Sequence, residues 1–144
     1  MSDLNLKFQK TIFTNGCFDI LHIGHIELLK YCKSLGRVVV GLNSDNSVKK
    51  LKGESRPINN ESDRKLILEA CRYVDEVVIF DEDTPIKLIR SLKPDLIVKG
   101  GDYKASEVVG YEIAKVDIFN LVVGYSSTAS IKKLNTNLQN KENN

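Results

Sequence analysis

The sequence predicts an α/β fold of three layers, a five-stranded parallel sheet held between helices. Short apolar runs alternate with segments of helical periodicity along the chain. One run, residues 37–42 with Val38, Val39 and Val40 at its centre, is apolar without alternation, as in a strand covered on both faces. The segments able to do chemistry, residues 14–25, 43–56, 99–103 and 126–128, each follow a strand. Parallel strands joined by right-handed crossovers bring all their carboxyl ends to one edge, where open α/β sheets bind ligands.

The elements follow in order. Residues 10–15 form the first strand, and Ile26, Leu28, Leu29, Tyr31, Cys32 and Leu35 give the apolar face of a helix that Gly36 stops. After the strand at 37–42, residues 46–60 carry Lys49, Lys50, Lys52, Gly53, Arg56 and Pro57 with little periodicity, which predicts a long functional loop. A helix runs from residue 62 to 71, with Asn60 or Ser62 as its cap, and residues 76–80 form the third strand. Thr84 caps a short helix with Pro85 in its first position. Pro94 and Asp95 turn into a strand at 96–99, which Gly100, Gly101 and Asp102 break. A weakly helical stretch at 106–115, a strand at 117–123 and a helix at 129–138 complete the pattern, with Ser126, Ser127 and Thr128 as the cap of that helix.

Composition limits what this frame can carry. With 144 residues, 42% hydrophobic and 28% charged, the chain fits one domain with a real core. The expected organisation is a polar lead at 1–9, the domain at 10–134 and a polar, Asn-rich tail at 135–144 that frays. A net charge of +2 gives no reason to expect nucleic acid or an anionic membrane as partner. Three widely spaced cysteines without a Cys-x-x-Cys pair read as free thiols in a reducing compartment. With no long apolar run and no leader, the expected location is the cytoplasm.

Residues 14–25 read as a triphosphate cradle in the first strand-to-helix turn. His22 and His25, three apart, share one face of a helical start, and Gly16 and Gly24 remove side chains where phosphates approach backbone. The pair could instead ligate zinc, but no third ligand cluster lies nearby in sequence. Cys17 has no paired base in the sequence around it and reads as a packing residue. Asp19 reads as a helix cap before it reads as an orienting partner of a histidine.

The run Asn15-Gly-Cys-Phe-Asp-Ile-Leu-His-Ile-Gly-His25 is similar to the Gly-x-Phe-Asp-x-x-His-x-Gly-His signature of the cytidylyltransferase-like nucleotidyltransferases. Within that superfamily the chain resembles the bacterial heptose 1-phosphate adenylyltransferase branch, a domain often fused to a heptose 7-phosphate kinase. The supporting stretches are Leu42-Asn-Ser-Asp45, Val48-Lys-Lys-Leu-Lys-Gly-Glu-Ser-Arg-Pro57, Asp83-Thr-Pro85, Pro94-Asp-Leu-Ile-Val-Lys-Gly-Gly-Asp-Tyr103, Ser126-Ser-Thr128 and Ile131-Lys-Lys133, so the resemblance covers residues 10–134.

The resemblance implies a Rossmann-like nucleotidyltransferase fold and transfer of AMP from ATP to a sugar 1-phosphate, with magnesium assisting and pyrophosphate released. ADP-heptose for lipopolysaccharide or capsule precursors is the implied product. By the same analogy His22, His25, Lys49 and Lys52 are catalytic. Asn15, Gly16, Cys17, Phe18, Gly24, Lys99, Gly100, Gly101, Asp102, Ser126, Ser127 and Thr128 bind the nucleotide, and Asn43, Asp45 and Arg56 hold the sugar phosphate. Arg64 is a weaker candidate for a phosphate contact. No metal ligands are expected in the protein itself, its partners are small molecules, and the expected assembly is a homodimer.

Some features depart from that branch. Ser126-Ser127-Thr128 stands where Ser-Thr-Thr is commoner, residues 110–120 look shorter, and no kinase domain accompanies the chain, so a separate enzyme is expected to supply the sugar 1-phosphate. A glycerol 3-phosphate cytidylyltransferase shares the first motif and is the alternative, but Lys99-Gly-Gly-Asp-Tyr103 favours the heptose branch. A His-Ile-Gly-His tetrad also occurs in class I aminoacyl-tRNA synthetases, whose second Lys-rich signature is absent here. A non-catalytic nucleotide-binding regulator would need only the cradle, and intact His22, His25, Lys49 and Thr128 argue against it.

Overall fold

The computed structural model describes residues 9–120. Five strands, β1 (Thr11–Gly16), β2 (Arg37–Asn43), β3 (Glu76–Phe80), β4 (Leu96–Gly100) and β5 (Lys115–Phe119), form one parallel sheet in the order β3-β2-β1-β4-β5. The helices are α1 (Ile23–Leu35), α2 (Asp45–Lys52), α3 (Glu61–Glu69) and α4 (Ile86–Leu92), with a short 3-10 turn at Ala105–Glu107. None of the described helices is long and apolar enough to cross a membrane.

Period-two alternation explains the layers. In β1 and β2, Ile12, Val38, Val40 and Leu42 point to one face, where Leu28, Leu29 and Cys32 of α1 and Leu68 of α3 cover them. Phe13 and Val39 point to the other, against Ile89 of α4 and Val108. Full burial of such an aliphatic side chain stabilises by roughly 1.5–3 kcal/mol, so these two faces supply most of the driving force. Gly41 is required between them, because a Cβ there would stand 2.7 Å from the Phe13 ring.

The chain builds β1, β2 and β3 outward in one direction and then crosses back to place β4 on the other side of β1. The switch point therefore lies between the carboxyl ends of β1 and β4, where a crevice is left open.

Several elements differ from the sequence-based expectation. Residues 45–52, expected in a loop, are helical: Ser44 Oγ accepts from the Ser47 amide, Gly53 closes the helix at φ 102, and Val48 is its buried anchor. Asp19 does not cap α1; His22 does, and Asp19 is engaged elsewhere. Thr84 makes no cap bond, since α4 begins after Pro85 at the N-cap. The stretch 106–115 has no helix beyond the end of the 3-10 turn at Ala105–Glu107, because Gly110 at φ 94 reverses the chain where a Cβ would strike Ile97 and Ile89. Strand β5 starts two residues earlier than expected. The Ser126, Ser127 and Thr128 cap, the helix at 129–138 and the tail lie outside the described residues.

Candidate active site

A cleft of about 610 Å³ lies at the switch point. Asn15 and Gly16 from β1, Cys17 and Phe18 from the turn, His22 and His25 from the start of α1, Asn43 from β2, Lys52 from α2 and Lys99 from β4 all line it. These nine were expected site residues, and the fold converges them from separate elements. Leu51, Asp83, Thr84, Pro85, Tyr103 and Val109 line it too. Asp83 to Pro85 and Tyr103 were marked in the sequence by their place after strands and by the stretches that carry the family resemblance, but not as site residues.

The turn is built around the histidines. His22 Nδ1 accepts from the Gly24 amide at 3.1 Å, and His25 Nδ1 accepts from the His22 amide at 3.3 Å. This reciprocal capping box leaves each neutral ring with its proton on Nε2, because an Nδ1 that accepts cannot also carry hydrogen. The rings stack with centroids 3.9 Å apart, and Phe18, held at φ 45, sets its ring 5.2 Å from His25. A Cβ on Gly16 would crowd that ring at 3.2 Å.

Burial lowers the pKa of both imidazoles. For His25 the value falls to about 4, with burial first and the charges of His22 and Lys52 adding to it. At neutral pH His25 is therefore an uncharged Nε2–H donor.

Two lysines supply the charge. Lys52 and Lys99 both reach the cleft, and neither forms an ion pair among the described residues. Burial pushes the Lys99 pKa down; the neighbouring Cys17 thiol opposes this and Lys52 adds to it. Burial pushes the Cys17 thiol up against the pull of Lys52, Arg64 and Arg56, which suits a packing residue and not a thiolate nucleophile.

The remaining expected residues lie elsewhere. Gly24 is buried and serves through its amide. Lys49 and Asp45 border a second, smaller cleft with Asn59 and Asp63. Gly101, at φ 121, turns the chain after β4 and donates to Phe119 O; Gly100 and Asp102 flank it, and Asp102 is exposed.

Two buried arginines hold the edge together. Arg56 Nε donates to Asp19 Oδ2 at 2.9 Å, and Asp19 also accepts from the amides of Ile58 and Asn59. Burial alone would raise the Asp19 carboxyl, but those bonds outweigh it and hold it below the usual range. Arg64, 1% exposed, donates to Cys17 O, Asn43 O, Asn59 O and Asp45 Oδ1 at 2.8–2.9 Å. One guanidinium thus fastens the ends of β1 and β2, the start of α2 and the loop before α3.

A doubly covered parallel sheet with a histidine-and-lysine cleft at its switch point defines an α/β protein of nucleotidyltransferase-like fold. The chain belongs to the cytidylyltransferase-like family, whose model matches residues 13–128. It is 54% identical over 134 residues to the "Bifunctional protein HldE" of Nitratiruptor sp. and 56% identical over 136 residues to that of Helicobacter pylori. These matches cover 92% and 93% of this chain and 29% of each relative, so the chain spans under a third of their length. Among solved structures it is similar to a lipopolysaccharide core biosynthesis protein from Thermoplasma volcanium, at 29% identity and TM-score 0.66 over 79% of this chain and 97% of that one. A pantothenate synthetase from Thermus thermophilus, 16% identical over 86% of this chain and 64% of that one, shares the fold at TM-score 0.53.

Proposed function

We propose that residues 10–134 transfer AMP from ATP to a sugar 1-phosphate, heptose 1-phosphate in the specific reading, giving ADP-heptose and pyrophosphate for cell-surface glycan precursors. The observation that carries this is the pair of Nε2–H imidazoles at the switch point, facing a cleft with two lysines that have no carboxylate partner among the described residues. Similarity to the HldE proteins supports the choice of acceptor.

The acceptor already carries a charged phosphate oxygen, so the chemistry asks for positioning and charge neutralisation and not for a protein nucleophile. In a single displacement the acceptor oxygen bonds to the α-phosphorus while the bridge to the β-phosphate breaks and its electron pair leaves with pyrophosphate. His22 and His25 donate to the phosphate oxygens where charge gathers, and Lys52 neutralises part of it. Neutral donors suit a site where an imidazolium would titrate with pH. Ser126, Ser127 and Thr128 are proposed to meet the β- and γ-phosphates.

The described residues contain no group of three or more His, Cys, Asp or Glu able to hold a metal. Asp83 is the carboxylate that lines the cleft, and a magnesium ion arriving with the triphosphate would be held there by it and would neutralise phosphate charge. A homodimer in the cytoplasm is the proposed setting.

A pyrophosphate-release assay of the four nucleoside triphosphates against sugar 1-phosphates and glycerol 3-phosphate tests the reading. ATP with a heptose 1-phosphate is the expected best pair. A clear preference for CTP with glycerol 3-phosphate would transfer the assignment to a cytidylyltransferase.

A further inference from the structure

The proposed reaction needs a second anion site for the acceptor, and the inference here rests on that reading. Of the residues expected to hold it, Asp45 is bonded to Arg64 and Asn43 Nδ2 to Ser47 Oγ at 2.9 Å, while Arg56 bonds Asp19 through Nε, keeps a buried Nη2 without a partner among the described residues, and does not line the cleft. Lys99 does. It stands at the end of β4, half-buried, with no ion pair among the described residues, and its Nζ lies 5.5 Å from the centre of the Tyr103 ring.

That aromatic contact is arranged by the turn before it. Gly101 adopts φ 121, and a Cβ there would stand 2.9 Å from the Tyr103 ring, so glycine lets the ring fold back toward Lys99. A cation–π contact offsets only a small part of the cost of removing an ammonium from water. A charge kept at that cost is poised for an anion.

Lys99 also borders a side chamber of about 170 Å³, walled by Asn15, Pro85, Tyr103, Glu107 and Val108. It is much smaller than the main cleft, and its walls suit a polyhydroxyl ring: Pro85, Tyr103 and Val108 offer apolar faces for C–H groups. The Asn15 amide and the Glu107 carboxylate offer partners for hydroxyls, and Glu107 forms no ion pair among the described residues.

We propose that Lys99 anchors the acceptor's phosphate at the mouth of this chamber, and that the sugar lies within it with its hydroxyls read by Glu107 and Asn15. Lys99 is thereby an acceptor-binding residue and not a nucleotide-binding one. Lys52, which reaches the cleft from α2 on the β2 side of β1, is left for the phosphates of the donor.

The test uses the full chain and three probes, mannose 1-phosphate, inorganic phosphate and a non-hydrolysable ATP analogue, titrated calorimetrically into wild type, Lys99→Met, Lys99→Arg and Glu107→Gln. Lys99→Met should weaken mannose 1-phosphate and phosphate by about tenfold or more, equivalent to ~1.4 kcal/mol, and leave the analogue within about twofold. Lys99→Arg, which keeps the charge, should recover much of the phosphate binding and exclude a folding defect. Glu107→Gln should weaken mannose 1-phosphate and leave inorganic phosphate unchanged.

The subsite is overturned if Lys99→Met weakens the ATP analogue as much as the sugar phosphate, or weakens neither. A Glu107→Gln protein with unaltered mannose 1-phosphate affinity removes the sugar from the chamber. If wild type turns over but Lys99→Met leaves the acceptor KM unmoved, the subsite falls and the reaction stands. If wild type shows Lys99-dependent mannose 1-phosphate binding but no turnover with any sugar 1-phosphate, the reaction falls and the subsite stands.

Discussion

His25 couples the chemistry of the site to the stability of the fold. Its folded pKa of about 4 lies below the ordinary value of 6.5, so between those pH values the unfolded chain takes up a proton that the folded chain refuses. Stability from this group is complete above pH 6.5 and is lost as pH falls toward 4. The whole shift amounts to roughly 3 kcal/mol, spread across that window. Urea titrations at pH 7 and pH 5 should show wild type weaker at pH 5, and His25→Gln should show a smaller loss. An equal pH dependence in both proteins would place the sensitivity elsewhere. The histidines were legible in the sequence because a His-x-x-His spacing at a strand-to-helix turn fixes their common face. Their reciprocal hydrogen bonds were not, since these depend on the φ and ψ of Phe18 and His22.

At the scale of elements, α2 decides which basic residues face the cleft. In an extended loop Lys50 and Lys52 would share one side and Lys49 the other; on the helix Lys52 reaches the main cleft and Lys49 the neighbouring one. Lys52→Met should therefore lower turnover on the order of a hundredfold, as loss of a preorganised charge does, while Lys49→Met and Lys50→Met have smaller effects. Equal small effects at all three positions would remove α2 from the chemistry. This helix escaped the sequence reading because a single apolar residue, Val48, anchors it and three lysines crowd its last turn. The Ser44 cap, Asp45 in the first turn and Gly53 were signals present but too weak beside the missing periodicity. The strands, with their continuous apolar runs, left no such ambiguity.

Arg64 shows how the elements are fastened to each other. Replacing it with Met leaves the Cys17, Asn43 and Asn59 carbonyls and the Asp45 carboxylate without their donor, a loss of about 3–5 kcal/mol if the buried pair behaves as others do. The melting temperature should drop by roughly 10 °C or more, read by calorimetry. A shift of only a degree or two would show that the carbonyls find water in its place. In sequence Arg64 was only a weaker candidate for a phosphate contact, because nothing local marks a helix arginine whose partners lie on other elements.

At the scale of the whole molecule, topology makes the site. The reversal in strand order between β1 and β4 sets Asn15 and Gly16 beside Lys99, over 80 residues apart in the chain. The alternation of strands and helices was enough to expect that edge, whereas the walls given by Tyr103 and Val109 depend on the positive φ of Gly101 and Gly110 and could not be read from periodicity. The central claim is that the imidazole pair at this edge stabilises the transfer itself. Its most direct test is the turnover of His22→Ala and His25→Ala with ATP and a sugar 1-phosphate, alongside circular dichroism to verify folding. Each variant should lose roughly a hundredfold or more in kcat, as expected for a removed transition-state donor. Folded variants with near-native kcat would contradict the claim.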